Sequence, residues 1–308
     1  MMNKTIKIFA HIGIGNQIEF IPAMKLLRKN GYQLYTNSNV LEDLVPELLH
    51  KTSKNSKKYD YGIVLYSQGL PVAMKAKKQC RKLIGFPCSF KFSGHRSVPL
   101  LSTLFYSNKI KFNKNISEII NNINLISYFG IKERNIDYSL NISKSPEKGV
   151  VGISAGSGGN PQKRWNKWPQ LIDQLNQKQI RLFGTEIDLN ENIQKASRHQ
   201  NVTIIKTDTI REAAIEIGKC ELFVSNDNGL MHLADILNVP VVVLFGMTNK
   251  LRNGPWNNGK VVSLDLPCSP CYRNGYINCI YKKNEFQCMN IPVDLVLKAI
   301  NEMEKKNE

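Results

Sequence analysis

The sequence predicts an α/β chain of two domains, and three observations carry that reading. Short apolar runs alternate with segments whose apolar residues recur at helical spacing, the pattern of βαβ units feeding parallel sheets. The 308 residues exceed one domain's usual share of roughly 100–200, so two cores are expected. A polar stretch that carries Pro146 and ends at Gly149 separates two such alternating series. The expected division is a first Rossmann-like domain over 1–143, a linker at 144–149, a second domain over 150–290, and a C-terminal helix over 291–308 whose packing partner is read as the first domain.

Thr5–Ala10 reads as the first strand, with Ile6 and Ile8 alternating with Lys neighbours. A turn through Gly13 and Gly15 leads into a helix from Gln17 to Lys29, which Gly31 closes. Gln33–Thr36 and Tyr61–Tyr66 read as strands, Leu70–Lys114 as irregular and basic, and Ile116–Phe129 as helical. In the second series the strands are Val150–Ala155, Gln179–Phe183, Val202–Ile205, Leu222–Ser225 and Val239–Phe245. Helices at Trp168–Asn176, Leu189–Ser197 and Thr209–Gly218 separate them, and Val293, Val296, Leu297 and Ile300 give the tail a helical face. Two αβα domains would leave a cleft between two carboxyl-end sheet edges, where open α/β sheets bind ligands.

Hydrophobic residues at 42% and charged residues at 22% describe a soluble globular chain rather than a disordered or fibrous one. No apolar run approaches the roughly 20 residues of a membrane span, and no signal peptide is visible, so a cytoplasmic protein is expected. Lys and Arg number 42 against 25 Asp and Glu, a formal charge of +17. Residues 1–144 carry 22 basic and 8 acidic residues, whereas 145–308 carry 20 and 17. Lys-rich coding accounts for an excess, but its placement in one half points to an anionic partner: nucleic acid, a phosphorylated glycan or a membrane surface. Nucleic acid fits least, because no helix-turn-helix stands out and aromatic residues do not interleave with the basic ones.

Of seven cysteines, Cys80, Cys88 and Cys220 are scattered, whereas Cys268, Cys271, Cys279 and Cys288 fall within 21 residues. Four thiols at that density in a reducing cytosol read as a tetrahedral site for zinc or iron, structural rather than catalytic, or else as four free thiols in an exposed loop. Trp165, Trp168 and Trp256 read as packing residues, and His11, His50, His95 and His199 as turn or surface residues.

Three segments carry chemistry. His11 to Asn16 places two glycines between a strand and a helix, which suits anion binding at a helix N-terminus or a tight turn with no ligand. Ser154 to Trp165 is a Gly/Ser loop meeting Lys163 and Arg164. Its small residues expose backbone N–H groups, and Lys163 can neutralise phosphate as a point charge, although the spacing is not that of a Walker loop. Val224 to Ala234 delivers Asp227 to a strand end, then Gly229 and a helix bearing His232. Asp227 is either a cap or, with the amide-rich turn and His232, part of a sugar-phosphate site.

Together, GxGNxxxxxPAxxxLR, GSGGNPQKRWNKWP and NDNGLMHLADILNVPVVVLFG resemble the ADP-heptose heptosyltransferases, glycosyltransferase family nine, in that family's order. The stretches YDYGIVLYSQGLPVAMKAKKQCRKLIGF and PCSPCYRNGYINC…QCMNIPVDLVLKAI add to the likeness. The resemblance implies a GT-B architecture of two Rossmann-like domains facing across a cleft. It also implies inverting transfer of a heptose-like sugar with no divalent cation required for the chemistry. It places Gly156, Ser157, Lys163, Asp227, Asn228, Gly229, Leu230 and His232 around a nucleotide-sugar donor. It sets an anionic glycan or glycolipid, such as a lipopolysaccharide core at a peripheral membrane surface, opposite the basic first domain. Some relatives that glycosylate proteins carry an iron-binding four-cysteine element.

Two departures bear on function. The family's usual Asp after the first-turn Gly, which the resemblance implies as the catalytic base, is Asn16 here, and a neutral amide is no useful proton acceptor near pH 7. Glu19, one helical turn on, is the nearest carboxylate and reads either as a replacement base or as a solvated helix residue. Asn228 stands where Thr is usual. The competing expectations are an active transferase acting on a glycan or a protein hydroxyl, and an impaired relative that binds nucleotide-sugar or glycan without turnover.

Overall fold

The computed structural model describes residues 4–10, 12–51, 58–65, 69–86, 104–133, 135–157, 160–184, 198–272, 279–280 and 286–307. His11, His95, Cys88 and the helix read at Leu189–Ser197 lie outside them. Two compact units divide the chain, with the boundary between Tyr138 and Ser139.

The first unit holds five parallel strands: β1 (Thr5–Phe9), β2 (Gln33–Thr36), β3 (Tyr59–Val64), β4 (Cys80–Gly85) and β5 (Asn108–Lys109), in the order β2-β1-β3-β4-β5. Its helices are α1 (Ile14–Ile18), α2 (Ile21–Lys29), α3 (Asn39–Leu44), α4 (Gly69–Gln79) and α5 (Glu118–Ile126). The single helix expected over Gln17–Lys29 is two, because Pro22 sits in the first turn of α2, where its missing N–H costs nothing. Gly31, at φ +83, closes α2 as expected. The stretch read as irregular holds α4 and β4. Exposed Lys75, Lys78, Arg81 and Lys82 masked the buried pattern of Ala73, Ala76, Cys80, Leu83 and Ile84.

The second unit holds six parallel strands: β6 (Glu147–Ser154), β7 (Gln179–Phe183), β8 (Val202–Ile205), β9 (Cys220–Asn226), β10 (Val241–Leu244) and β11 (Gly259–Val262). Their order is β11-β10-β9-β6-β7-β8. The chain runs outward through β7 and β8, then returns to place β9 on the other side of β6, so the topological switch point lies between β6 and β9. The helices are α6 (Trp168–Gln174), α7 (Ile210–Ile217), α8 (Gly229–Ile236), α9 (Lys250–Asn253) and α10 (Val293–Asn307).

Two expectations are corrected here. The linker at 144–149 is not a free connection: Glu147–Gly149 begin β6. Gly149, at φ +76, falls where the register to β9 shifts, and its N–H donates to Glu221 at 2.7 Å, so the Gly marks a bulge rather than a domain boundary. The C-terminal helix packs into the core of its own unit. Val296, Ala299, Ile300 and Met303 are buried in a core with Trp165, Trp168, Val242 and Leu244. Trp165 and Trp168 meet edge to face at 5.1 Å, as packing residues should. Among the described residues no helix is long and apolar enough to cross a membrane.

Candidate functional site

Parallel pairing of Ser154 with Ser225 brings the ends of β6 and β9 side by side. The Gly/Ser loop and the Asp227 turn therefore meet at the switch point, where open α/β sheets bind ligands. Two asparagines tie them together. Asn226 Nδ2 donates to the carbonyls of Ala155 (2.8 Å) and Gly156 (3.0 Å). Asn228 Nδ2 donates to Ser154 Oγ (3.0 Å) and the Gly156 carbonyl (2.9 Å), while its Oδ1 accepts the N–H groups of Leu230 and Met231 and caps α8. Asn228, not Asp227, is thus the cap.

That leaves Asp227 for other work. Lys163, closing the turn Pro161–Lys163, donates from Nζ to Asp227 Oδ2 at 2.8 Å and to the Asp227 carbonyl at 3.3 Å. Thr248 Oγ1 donates to the same Oδ2 at 2.6 Å. Burial alone would raise the Asp227 carboxyl, but the Lys163 charge and the two hydrogen bonds outweigh it and hold the group below its ordinary range. Lys163 Nζ also lies 5.6 Å from the centroid of the Tyr272 ring. His232, on α8, is pushed down to about 4 by burial first, with Lys163 acting in the same direction and Asp227 against both. It is therefore neutral at physiological pH.

Gly229 and Leu230 occupy the first turn of α8 and are half-buried. Gly156 and Ser157 are buried, and the Ser157 hydroxyl accepts from Arg164 Nε at 3.2 Å. The structure gathers Gly156, Ser157, Lys163, Asp227, Asn228, Gly229, Leu230 and His232 around the ends of two neighbouring strands. Asn226, Thr248 and Tyr272 also belong here and were missed. Thr248 follows β10 at the same sheet edge, a position that the strand-end rule alone marks.

Asn16 lies in the first unit, half-buried in α1, on the turn that follows β1. Buried Gln17 braces that turn, donating to the Ile12 carbonyl at 2.8 Å and accepting from the Ser38 hydroxyl. Glu19 is only 2% exposed, which corrects the reading of it as a solvated helix residue; its carbonyl accepts from Asn122 at 3.1 Å.

All four clustered cysteines lie among the described residues. Cys268 and Cys271 are half-buried and Cys279 and Cys288 buried, yet among the described residues no three His, Cys, Asp or Glu side chains are grouped so as to hold a metal ion. The thiols still share a neighbourhood. Burial, then charge on Cys271, Cys268 and Cys279, pushes the Cys288 thiol up to about 11.

The family model for Glycosyltransferase family 9 (heptosyltransferase) matches residues 106–282, more than half of the chain. A lipooligosaccharide heptosyltransferase 2 of Campylobacter jejuni is 26% identical over 297 residues, covering 86% of this chain and 90% of that protein. Among solved structures, the ADP-heptose lps heptosyltransferase II of E. coli aligns with a TM-score of 0.73 at 17% identity, covering 98% of this chain and 99% of that one. A glycosyl transferase family 9 protein of Veillonella parvula aligns at 0.74 and 17%, covering 98% of each chain. The fold is the GT-B fold of these proteins, and the chain belongs to glycosyltransferase family 9, the heptosyltransferases, and is a glycosyltransferase.

Proposed function

We propose that the chain transfers a heptose-like sugar, with inversion, from ADP-heptose or a related nucleotide-sugar to an anionic glycan such as a lipopolysaccharide core. The observation that supports this best is the Lys163–Asp227 pair at the switch point, with Asp227 buried and Lys163 half-buried, held by Thr248 and flanked by the Gly/Ser loop and the N-terminus of α8. Departure of a nucleoside diphosphate builds negative charge. An ammonium, backbone N–H groups and a helix N-terminus are the groups that stabilise such charge. In this reading Lys163 holds the diphosphate, Asp227 accepts from sugar hydroxyls, and neutral His232 offers a hydrogen bond without adding charge. The Lys- and Arg-rich first half suits a phosphorylated acceptor on an anionic membrane surface.

One observation favours a second reading, a member that binds donor without turning it over. Asn16 replaces the usual base, and Glu19, the nearest carboxylate in sequence, is 2% exposed. Incubation with ADP-heptose and a heptose-deficient lipopolysaccharide core, following ADP release, separates the two. Turnover by the wild-type chain establishes the transferase. Turnover only in Asn16→Asp establishes the binding protein, and none in either variant removes the donor or the acceptor assignment.

A further inference from the structure

We propose that Thr248 is a positioning residue for the donor sugar: its hydroxyl fixes Oδ2 of Asp227 so that Oδ1 faces the sugar. The inference rests on the donor-site reading above and goes beyond it, because Thr248 itself touches no ligand in that reading.

Oδ2 of Asp227 accepts from both Lys163 Nζ (2.8 Å) and Thr248 Oγ1 (2.6 Å). Among the described residues Oδ1 accepts from none, so the lone pairs left for a ligand belong chiefly to one oxygen. The terminal torsion of an Asp side chain is soft, and the carboxylate keeps one face toward a ligand only if its other oxygen is held. Lys163 is a poor holder. Its ammonium is a point charge on a flexible stem, and an arriving diphosphate competes for it. Thr248 is the better one, with a β-branched side chain that is stiff at χ1 and only 6% exposed.

The backbone that carries Thr248 is itself anchored. The Ser269 hydroxyl donates to the Gly246 carbonyl at 2.9 Å, and the Tyr272 N–H donates to the Met247 carbonyl at 2.9 Å. Cys288 and Met289 press so closely on Gly246 that a Cβ there would lie 3.0 Å from Cys288 Sγ and 2.5 Å from Met289 Sδ. The cysteine-bearing segments thus brace the loop that presents Thr248, a use that neither the sequence motifs nor the donor contacts had supplied.

Calorimetric titration of the full chain with ADP and with ADP-heptose tests this in Thr248→Val, Thr248→Ala and Thr248→Ser. The expected result is that Val and Ala lower ADP-heptose affinity about tenfold, the worth of one hydrogen bond to a charged group, while ADP affinity stays within about twofold. Ser, which keeps the hydroxyl and loses the methyl, restores ADP-heptose binding. A merely structural role moves both ligands together and is not rescued by Ser. Unchanged ADP-heptose affinity in Val and Ala, or equal losses for both ligands, overturns the role of Thr248 alone. A wild-type chain that binds neither ligand overturns the donor assignment and this role with it.

Discussion

His232 shows how burial, rather than the nearest charge, sets the state of a site residue. Its imidazole is 6% exposed and holds a value of about 4 against an ordinary 6.5, even though the Asp227 charge pulls the other way. The unfolded chain therefore takes up the proton first as pH falls. The stability carried by a neutral His232 is complete above about 6.5 and lost progressively toward 4. Urea unfolding at pH 7 and pH 4.5 checks this: the wild-type chain is expected to lose about 2 kcal/mol more between the two than His232→Asn does. Equal losses would place the imidazole in solvent-like surroundings. The sequence showed that Asp227 and His232 belong together. It could not show Thr248, because a hydrogen bond across 21 residues between two strand ends leaves no local pattern.

At the scale of elements, α8 is joined to the loop after β6 through one side chain. Asn228→Ala removes two bonds that cap the helix and two that tie Ser154 and Gly156. The expected destabilisation is about 2 kcal/mol by denaturant titration, with Asn228→Asp recovering only the capping share. An Ala variant as stable as wild type would mean the loops hold each other without it. Short apolar strands between turn signals were legible, since Gln33–Thr36, Gln179–Phe183 and Val202–Ile205 appear with the expected limits. The α4–β4 stretch was not, because exposed Lys75, Lys78, Arg81 and Lys82 are interspersed among the buried residues that define it. Gly149 misled for a related reason: a glycine that serves a bulge looks in sequence like one that serves a linker.

For the whole molecule, the switch-point rule explains why segments 64 residues apart in the chain, Lys163 and Asp227, form one site. The family likeness was readable from motifs because those motifs lie at strand ends, where sheet topology restricts which residues can reach a ligand. Calorimetric titration of the wild-type chain and of Asp227→Asn with ADP-heptose, beside UDP-sugar and GDP-sugar controls, tests the donor assignment most directly. The account predicts binding selective for the ADP-sugar and weakened at least about tenfold by Asp227→Asn. Binding that Asp227→Asn leaves untouched, or that prefers another nucleotide, would contradict it.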